Sequence, residues 1–261
     1  MSRCWCVFAF LVATGVCGSE VSQDNNTTCT LSSFSKVQFN QTQELQYVEY
    51  VESIPDMTAF TLHYWIRVDE ASSRACPFSY YNKDDGSSVQ VVLVKSDKVT
   101  GPVWRWVLQV NGFVVSIVKS PDSLVKSWHH VLHSWHSPSG TWSLYMNGQL
   151  VESGVNENLK GLKVSGGGRA FSGQRYKSIN GTVPKCSYDC NDGVNGWMTL
   201  LGLDSQGIQR ADYWANRLMV SVVANGCRPE HGGDVLSWKD TPRRGYGGVM
   251  EASAKPACGY F

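Results

Sequence analysis

The sequence is poor in charge. Only 17% of its 261 residues are charged, and 23 cations against 22 acids leave a net charge of +1. A dedicated nucleic-acid binder needs a basic face, and this balance provides no excess from which to build one. An acidic disordered chain is excluded too, because 42% hydrophobic and 11% aromatic residues supply a core. Long apolar runs are also missing beyond the N-terminus, so no membrane span is expected. No Gly-x-Ser-x-Gly elbow, His-Glu-x-x-His pair or Cys/His nucleophile arrangement is present, which removes the common hydrolase and metalloprotease readings.

What the chain does have begins with Met1 to Gly18. Arg3 is followed by an apolar run of about 12 residues, Trp5 to Val16, and then by the small-residue site Val16-Cys17-Gly18. That order of features predicts a cleaved secretory signal, too short for the ~20 residues of a membrane helix. The expected organisation is a signal over 1–18, an N-terminal extension over 19–33 and one folded domain over 34–261. The expected location is extracellular.

Nine cysteines are an odd count, but three of them fall in the signal. The remaining six are Cys29, Cys76, Cys186, Cys190, Cys227 and Cys258, and export favours three disulfides among them. Spacing alone leaves fifteen connectivities open. Cys186 with Cys190 is a short-loop pairing, Cys227 with Cys258 staples the tail, and Cys29 with Cys76 is then the remainder. Sequons at Asn25, Asn26, Asn40 and Asn180 support the same address as glycosylation acceptors.

Most of the body reads as strands and turns. Apolar and β-branched runs lie at 60–68, 89–95, 103–110, 113–118, 128–135, 141–146 and 149–153. Asn111-Gly112 and Asn147-Gly148 each interrupt two runs as a hairpin turn should. Residues 161–195 read as a long irregular segment rich in Gly, Asn and Asp. Residues 210–220 suit one short helix or a further strand, and the Pro- and Gly-rich tail from Cys227 wraps the domain. The fold class expected is all-β, a two-sheet antiparallel jelly-roll sandwich with one short helix.

At His130-Val-Leu-His-Ser-Trp-His-Ser137 the chain resembles the pentraxins, whose signature is His, any, Cys, any, Ser/Thr, Trp, any, Ser/Thr. Leu132 stands where the Cys belongs, and the other positions fit. The hairpin sequence Pro138-Ser-Gly-Thr-Trp-Ser-Leu-Tyr-Met-Asn-Gly-Gln-Leu-Val151 also resembles the family. So do Ala59-Phe-Thr-Leu-His63, Pro77-Phe-Ser-Tyr80, Ser172-Gly-Gln174, Gly202-Leu-Asp204 and Val235-Leu-Ser-Trp238. His63 takes the place of the partner Cys, so both halves of the family's disulfide are missing together. The resemblance runs from Phe34 to Trp238. It implies non-catalytic surface recognition, often calcium-dependent and often as a cyclic homo-oligomer.

Calcium needs six to eight oxygen ligands gathered by loops. The resemblance places family ligands near Asn82-Lys-Asp-Asp-Gly86, where Asp84 and Asp85 are the available carboxylates, and near Asp189 and Asp192. At the acidic run that should follow Gly173-Gln174, this chain instead has Arg175-Tyr176-Lys177. Cations there oppose a metal ion, so calcium is doubtful. Arg175 and Lys177 become candidates for an anionic ligand instead.

Four of the six histidines crowd 129–136. On a strand His129 and His133 lie about 13 Å apart, too far to share one ion, so structural histidines are expected. Trp104 and Trp106 share a strand face and fit core packing better than a sugar platform. A glucanase on this sandwich would carry Glu-x-Asp-x-Glu, which Glu49-Tyr-Val-Glu52 does not match. The function expected is a secreted recognition protein for cell-surface, glycan or anionic ligands in host defence or cell recognition. A matrix or egg-coat component is the first alternative, and a sandwich-fold glycan hydrolase is the remote one.

Overall fold

The computed structural model describes residues 29–30, 34–40, 45–69, 74–96, 103–121, 124–176, 193–208, 213–227, 232–255 and 257–261. The signal expected over 1–18, the sequons at Asn25, Asn26 and Asn180, and Lys177, Cys186, Asp189, Cys190 and Asp192 lie outside the described residues. In chain order the strands are β1 (Cys29–Thr30), β2 (Ser35–Phe39), β3 (Tyr47–Tyr50), β4 (Ala59–Val68), β5 (Arg74–Tyr81), β6 (Ser88–Ser96), β7 (Val103–Val110) and β8 (Phe113–Lys119). They continue as β9 (Trp128–His136), β10 (Thr141–Met146), β11 (Gln149–Val155), β12 (Arg169–Ser172) and β13 (Gly196–Asp204). Helix α1 (Tyr213–Gly226) precedes β14 (Leu236–Ser237), β15 (Arg243–Tyr246) and β16 (Met250–Ser253).

The strands form two antiparallel sheets. The first runs β1-β15-β3-β12-β5-β6-β7-β8, and the second runs β11-β10-β9-β4-β13-β2-β16, with β14 paired on β13. This is the jelly-roll sandwich that the strand and turn pattern predicts. Alternation decides which side chains meet between the layers. In β7, Trp104, Trp106, Leu108 and Val110 enter the core while Val103, Arg105, Val107 and Gln109 face outward. Both indoles are therefore core residues. From β4 and β9 the core receives Phe60, Leu62, Tyr64, Ile66, Val131 and Trp135.

Two hairpins follow from local chemistry alone. Asn111 (φ 50°) with Gly112 (φ 79°), and Asn147 (φ 49°) with Gly148 (φ 78°), occupy left-handed conformations at both central turn positions. Each Asn also works across the sheet. Asn111 Oδ1 accepts from Ser88 N at 2.9 Å, and Asn147 Oδ1 accepts from His130 N at 3.0 Å.

Three elements depart from the expectation. The segment 161–195 is not loop throughout, since β12 lies inside it and pairs with both β3 and β5. The tail contributes β14, β15 and β16 to the two sheets rather than only wrapping them. The element left open near 210–220 is α1, beginning three residues later and ending at Gly226. Short strands of four residues carry too little alternation to stand out in sequence; they are fixed by partners far along the chain.

Cys227 and Cys258 form a disulfide with Cα atoms 5.3 Å apart. Cys76 corrects the remaining expectation: it is a buried thiol, with Sγ donating to Phe78 O at 3.3 Å, and not half of a Cys29–Cys76 bridge. The positions of the family's missing disulfide do face each other. His63 and Leu132 are direct cross-strand partners, both buried. A thiol-free pair fills the space instead, and a Cβ on Gly202 would come within 2.3 Å of His63 Nε2.

Candidate ligand-binding face

The outer surface of the first sheet, from β15 through β3 and β12 to β5, gathers an unusual set of side chains. Alternation sends Val48, Tyr50, Ala170, Phe78 and Tyr80 into the core. Tyr47, Glu49, Arg169, Phe171, Ser79 and Tyr81 therefore project from the opposite side. Register then aligns them, because Glu49 opposes Phe171 on one side and Arg244 on the other, while Tyr47 opposes Tyr246.

Five rings run edge to edge across these strands. Tyr246 stacks on Tyr47 with centroids 4.6 Å apart, and Tyr47 meets Phe171 edge-on at 5.7 Å. Phe171 stacks on Tyr176 at 5.3 Å, and Tyr176 meets Tyr81 at 4.7 Å. Tyr47 and Phe171 are buried within the chain, whereas Tyr81, Tyr176 and Tyr246 are half-buried and present ring surface to solvent.

Glu49 organises the polar side of this face. Its Oε1 accepts from Arg169 Nε at 2.7 Å and lies 2.7 Å from Arg169 Nη2, and its Oε2 accepts from the Tyr246 hydroxyl at 2.8 Å. A bidentate guanidinium on a mostly buried carboxylate fixes both groups. Arg169 also lies over the Phe171 ring at 5.1 Å and keeps about half of its side chain exposed. Burial pushes the Tyr47 phenol far up, with Tyr246 and Glu49 adding to it; burial and the Glu49 hydrogen bond raise Tyr246 as well. Both phenols stay protonated at physiological pH, and Tyr246 donates to Glu49.

Tyr176 reaches this face because β12 ends on Gly173. Its φ is +91°, and a Cβ there would lie 2.3 Å from the Phe39 ring. The chain then passes over β5, where Ser79 Oγ donates to Gln174 O at 2.9 Å and accepts from Tyr176 N at 3.2 Å. Half-buried Arg175 directly precedes Tyr176 on that path. Replacing Gly173 with Ala is expected to cost about 1–3 kcal/mol through overpacking and backbone strain. Urea unfolding measures this, and an unchanged midpoint would show that the turn is not held as described.

The sequence-nominated carboxylates lie at the nearby β5–β6 turn and are occupied with it. Asp85 Oδ1 accepts from Ser87 N at 2.8 Å and Oδ2 from Ser87 Oγ at 2.9 Å; a Ser165 hydrogen bond leads the causes that hold its pKa low. Asp84 is exposed, and its N–H bonds Asn82 Oδ1 at 2.8 Å. The Asn82 amide is turned to Gly166 O at 2.6 Å. Asp56 takes Gly166 N at 2.7 Å and Lys163 Nζ at 2.6 Å. Calcium demands several converging, uncommitted oxygens. Among the described residues no three His, Cys, Asp or Glu side chains converge, and Asp85, the Asn82 amide and Asp56 are committed to hydrogen bonds or an ion pair of their own.

The histidines on β9 are divided between its faces. His133 joins the core beside Tyr64 and Trp106, with ring centroids 6.4 and 5.6 Å away, while His130 faces outward near His63 at 5.8 Å. They occupy structural positions. The ring row, in contrast, is invisible in sequence, since its members lie up to 199 positions apart; the only local hint is the alternation in Tyr47-Val-Glu-Tyr50.

The chain matches, over residues 35–183, the family described as the concanavalin A-like lectin/glucanases superfamily. It is 27% identical over 188 residues to a mouse protein, sushi, von Willebrand factor type A, EGF and pentraxin domain-containing protein 1. That stretch is 72% of this chain but 5% of the relative's length. Among solved structures, the heptameric SAP-like pentraxin of Limulus polyphemus superposes with a TM-score of 0.70 at 21% identity, covering 86% of this chain and 97% of that one. The full extracellular region of zebrafish Gpr126/Adgrg6 superposes at 0.59 and 15% identity, covering 88% of this chain and 28% of that one. At these identities the likeness establishes fold alone. Sequence match and architecture together show that the chain belongs to the concanavalin A-like lectin/glucanases superfamily, with a pentraxin/laminin-G-like fold.

Proposed function

We propose that the chain is an extracellular recognition domain without catalysis, binding a glycan or anionic ligand on the outer face of its first sheet. The observation that carries this reading is the ring row from Tyr246 to Tyr81 flanked by Arg169, Arg175 and Arg244. Half-buried tyrosines offer flat apolar area for a sugar face, and guanidinium groups offer paired donors to carboxylate or sulfate. Glycoside hydrolysis needs two carboxyl groups astride the bond. The described strand positions of this face contain one, Glu49, and Arg169 already holds it. The parent relatives' extracellular setting supports secretion, and the heptameric neighbour supports a cyclic homo-oligomer. Host defence or cell recognition is the proposed context.

Binding of the full chain to a glycan array, with and without calcium, tests the reading. Arg169→Ala and Tyr176→Ala are each expected to weaken a captured ligand about tenfold, the loss of one charge-assisted bond or one stacking surface. Unchanged binding in both variants would move the site elsewhere. Turnover of an oligosaccharide would replace the non-catalytic reading with a hydrolase.

A further inference from the structure

The opposite end of the same outer face carries a second pattern. Strands β5, β6, β7 and β8 contain no Asp or Glu. Register places Arg74 opposite Val94, Val94 opposite Arg105, and Arg105 opposite Lys119. Three cations scattered over 46 positions of sequence thus fall into one row across the sheet. With neighbouring strands about 5 Å apart, Arg105 and Lys119 are adjacent and Arg74 lies about 10 Å beyond Arg105. Like charges directly opposed across a strand pair are unfavourable, so the Arg105–Lys119 pair is better satisfied with an anion upon it. The Arg105 side chain bonds Ser96 Oγ at 2.8 Å, and no carboxylate of the described residues pairs with Arg105 or Lys119.

Beside that row is exposed apolar surface. On the edge strand β8, the outward Val114 is 42% exposed and Ile117 57%. Ile117 opposes the half-buried Val107, so an apolar pair lies beside the Arg105–Lys119 pair, one step away on the same face. Apolar side chains exposed at a sheet edge, with cations next to them and no Asp or Glu in the four strands, form an amphiphilic contact surface.

We propose that this end of the first sheet docks on an anionic phospholipid bilayer, with Val114 and Ile117 entering the acyl boundary and Arg105 and Lys119 meeting lipid phosphates. Both halves of the pattern are then used. A sulfated polysaccharide would match the cations but leave the exposed edge without a counterpart. A second copy pairing along β8 would meet the register shift at Leu108/Gln109, a bulge that interrupts regular strand addition. The site is separate from the ring row and needs no metal.

Vesicle sedimentation of the full chain, in chelator and low salt, tests the proposal. Binding is expected to vesicles containing about 30 mol% phosphatidylserine and not to pure phosphatidylcholine, and it should fall as salt screens the phosphates. Arg105→Gln and Lys119→Gln should each reduce partitioning about fivefold. Ile117→Ser should reduce it about tenfold, with an unchanged melting temperature. Equal binding to both vesicles, or no binding to either, overturns the proposal. So does lipid binding that survives Ile117→Ser and is removed by a soluble sulfated polysaccharide. A dimer converted to monomer by Ile117→Ser, in a chain inert to vesicles, would assign the edge to a second copy instead. If a variant does not fold, the lipid and salt dependence of the unsubstituted chain decides.

Discussion

Lowering the pH from 7.5 to 4 is expected to remove about 3 kcal/mol of stability through His133 alone. Burial pushes its pKa down to about 3, and burial, with His63 adding to it, holds His130 well below the ordinary value. In the unfolded chain each ring takes a proton near 6.5. Between pH 6.5 and about 3 the unfolded state therefore binds more protons than the folded one, and stability falls as pH falls. At 1.36 kcal/mol per pKa unit, His133 costs about 2 kcal/mol by pH 5 and about 3 by pH 4. His130 adds to the loss with the same sign. Asp204 opposes them, because burial raises its pKa to about 6 and the folded state then gains its proton first. It is partly solvent-facing, so its offset is the smaller one. Asp56 and Asp85, held below 3.8, matter only at still lower pH.

Urea unfolding at pH 7.5, 5 and 4 measures the loss, and His133→Gln and His130→Leu should each flatten the slope. His130→Leu should also leave stability at pH 7.5 equal or higher, since both ring nitrogens are buried with no hydrogen-bond partner. A stability that stays level from pH 7.5 to 4 would mean that these rings are hydrated or charged in the folded protein.

Opening the Cys227–Cys258 bridge should cost a similar amount. The bridge closes a loop with a sequence separation of 31, for which loop-closure entropy gives about 3.5–4 kcal/mol. It also ties the end of α1 to the C-terminal segment. Phe261 in that segment packs edge-on against Trp65 and Trp128, each at 5.1 Å, and Lys36 Nζ donates to Phe261 O. Trp65 in turn contacts His130 at 5.5 Å. Loss of the bridge therefore loosens part of the cover above His130. The double variant Cys227→Ser/Cys258→Ser should unfold at lower urea and show a shallower dependence on pH, because His130 becomes easier to hydrate. An unchanged midpoint would mean that ring packing alone holds the tail.

Much of the architecture is written locally. The Asn-Gly pairs at 111 and 147 set two hairpins, since few other residues accept left-handed angles at both turn positions. The alternation in Val103–Val110 places two tryptophans in the core, and long strands such as β4 and β9 carry enough apolar pattern to be found without partners. The pattern from His130 to Ser137 pointed to the fold despite the missing cysteines, and register explains their joint replacement by His63 and Leu132.

The functional surfaces were legible only in fragments. Arg175 was singled out from its position after Gly173-Gln174, and in the chain it directly precedes Tyr176 of the ring row. Asp84 and Asp85 were singled out by the same reasoning, and Asp85 accepts two hydrogen bonds from Ser87 within its own turn. Which rings share a face with Glu49, and which cations line up with Arg105, depend on strand register.

The sequence alone thus determined the two-sheet strand-rich class, the turns and the core alternation, because each of these arises from neighbours in the chain. Only the tertiary structure decided what shares the outer face of the first sheet. A one-residue change in pairing would turn every side chain of a strand to the other side. That choice is made by long-range burial of residues such as Val48, Tyr50 and Ala170, far from one another in sequence and adjacent in the core.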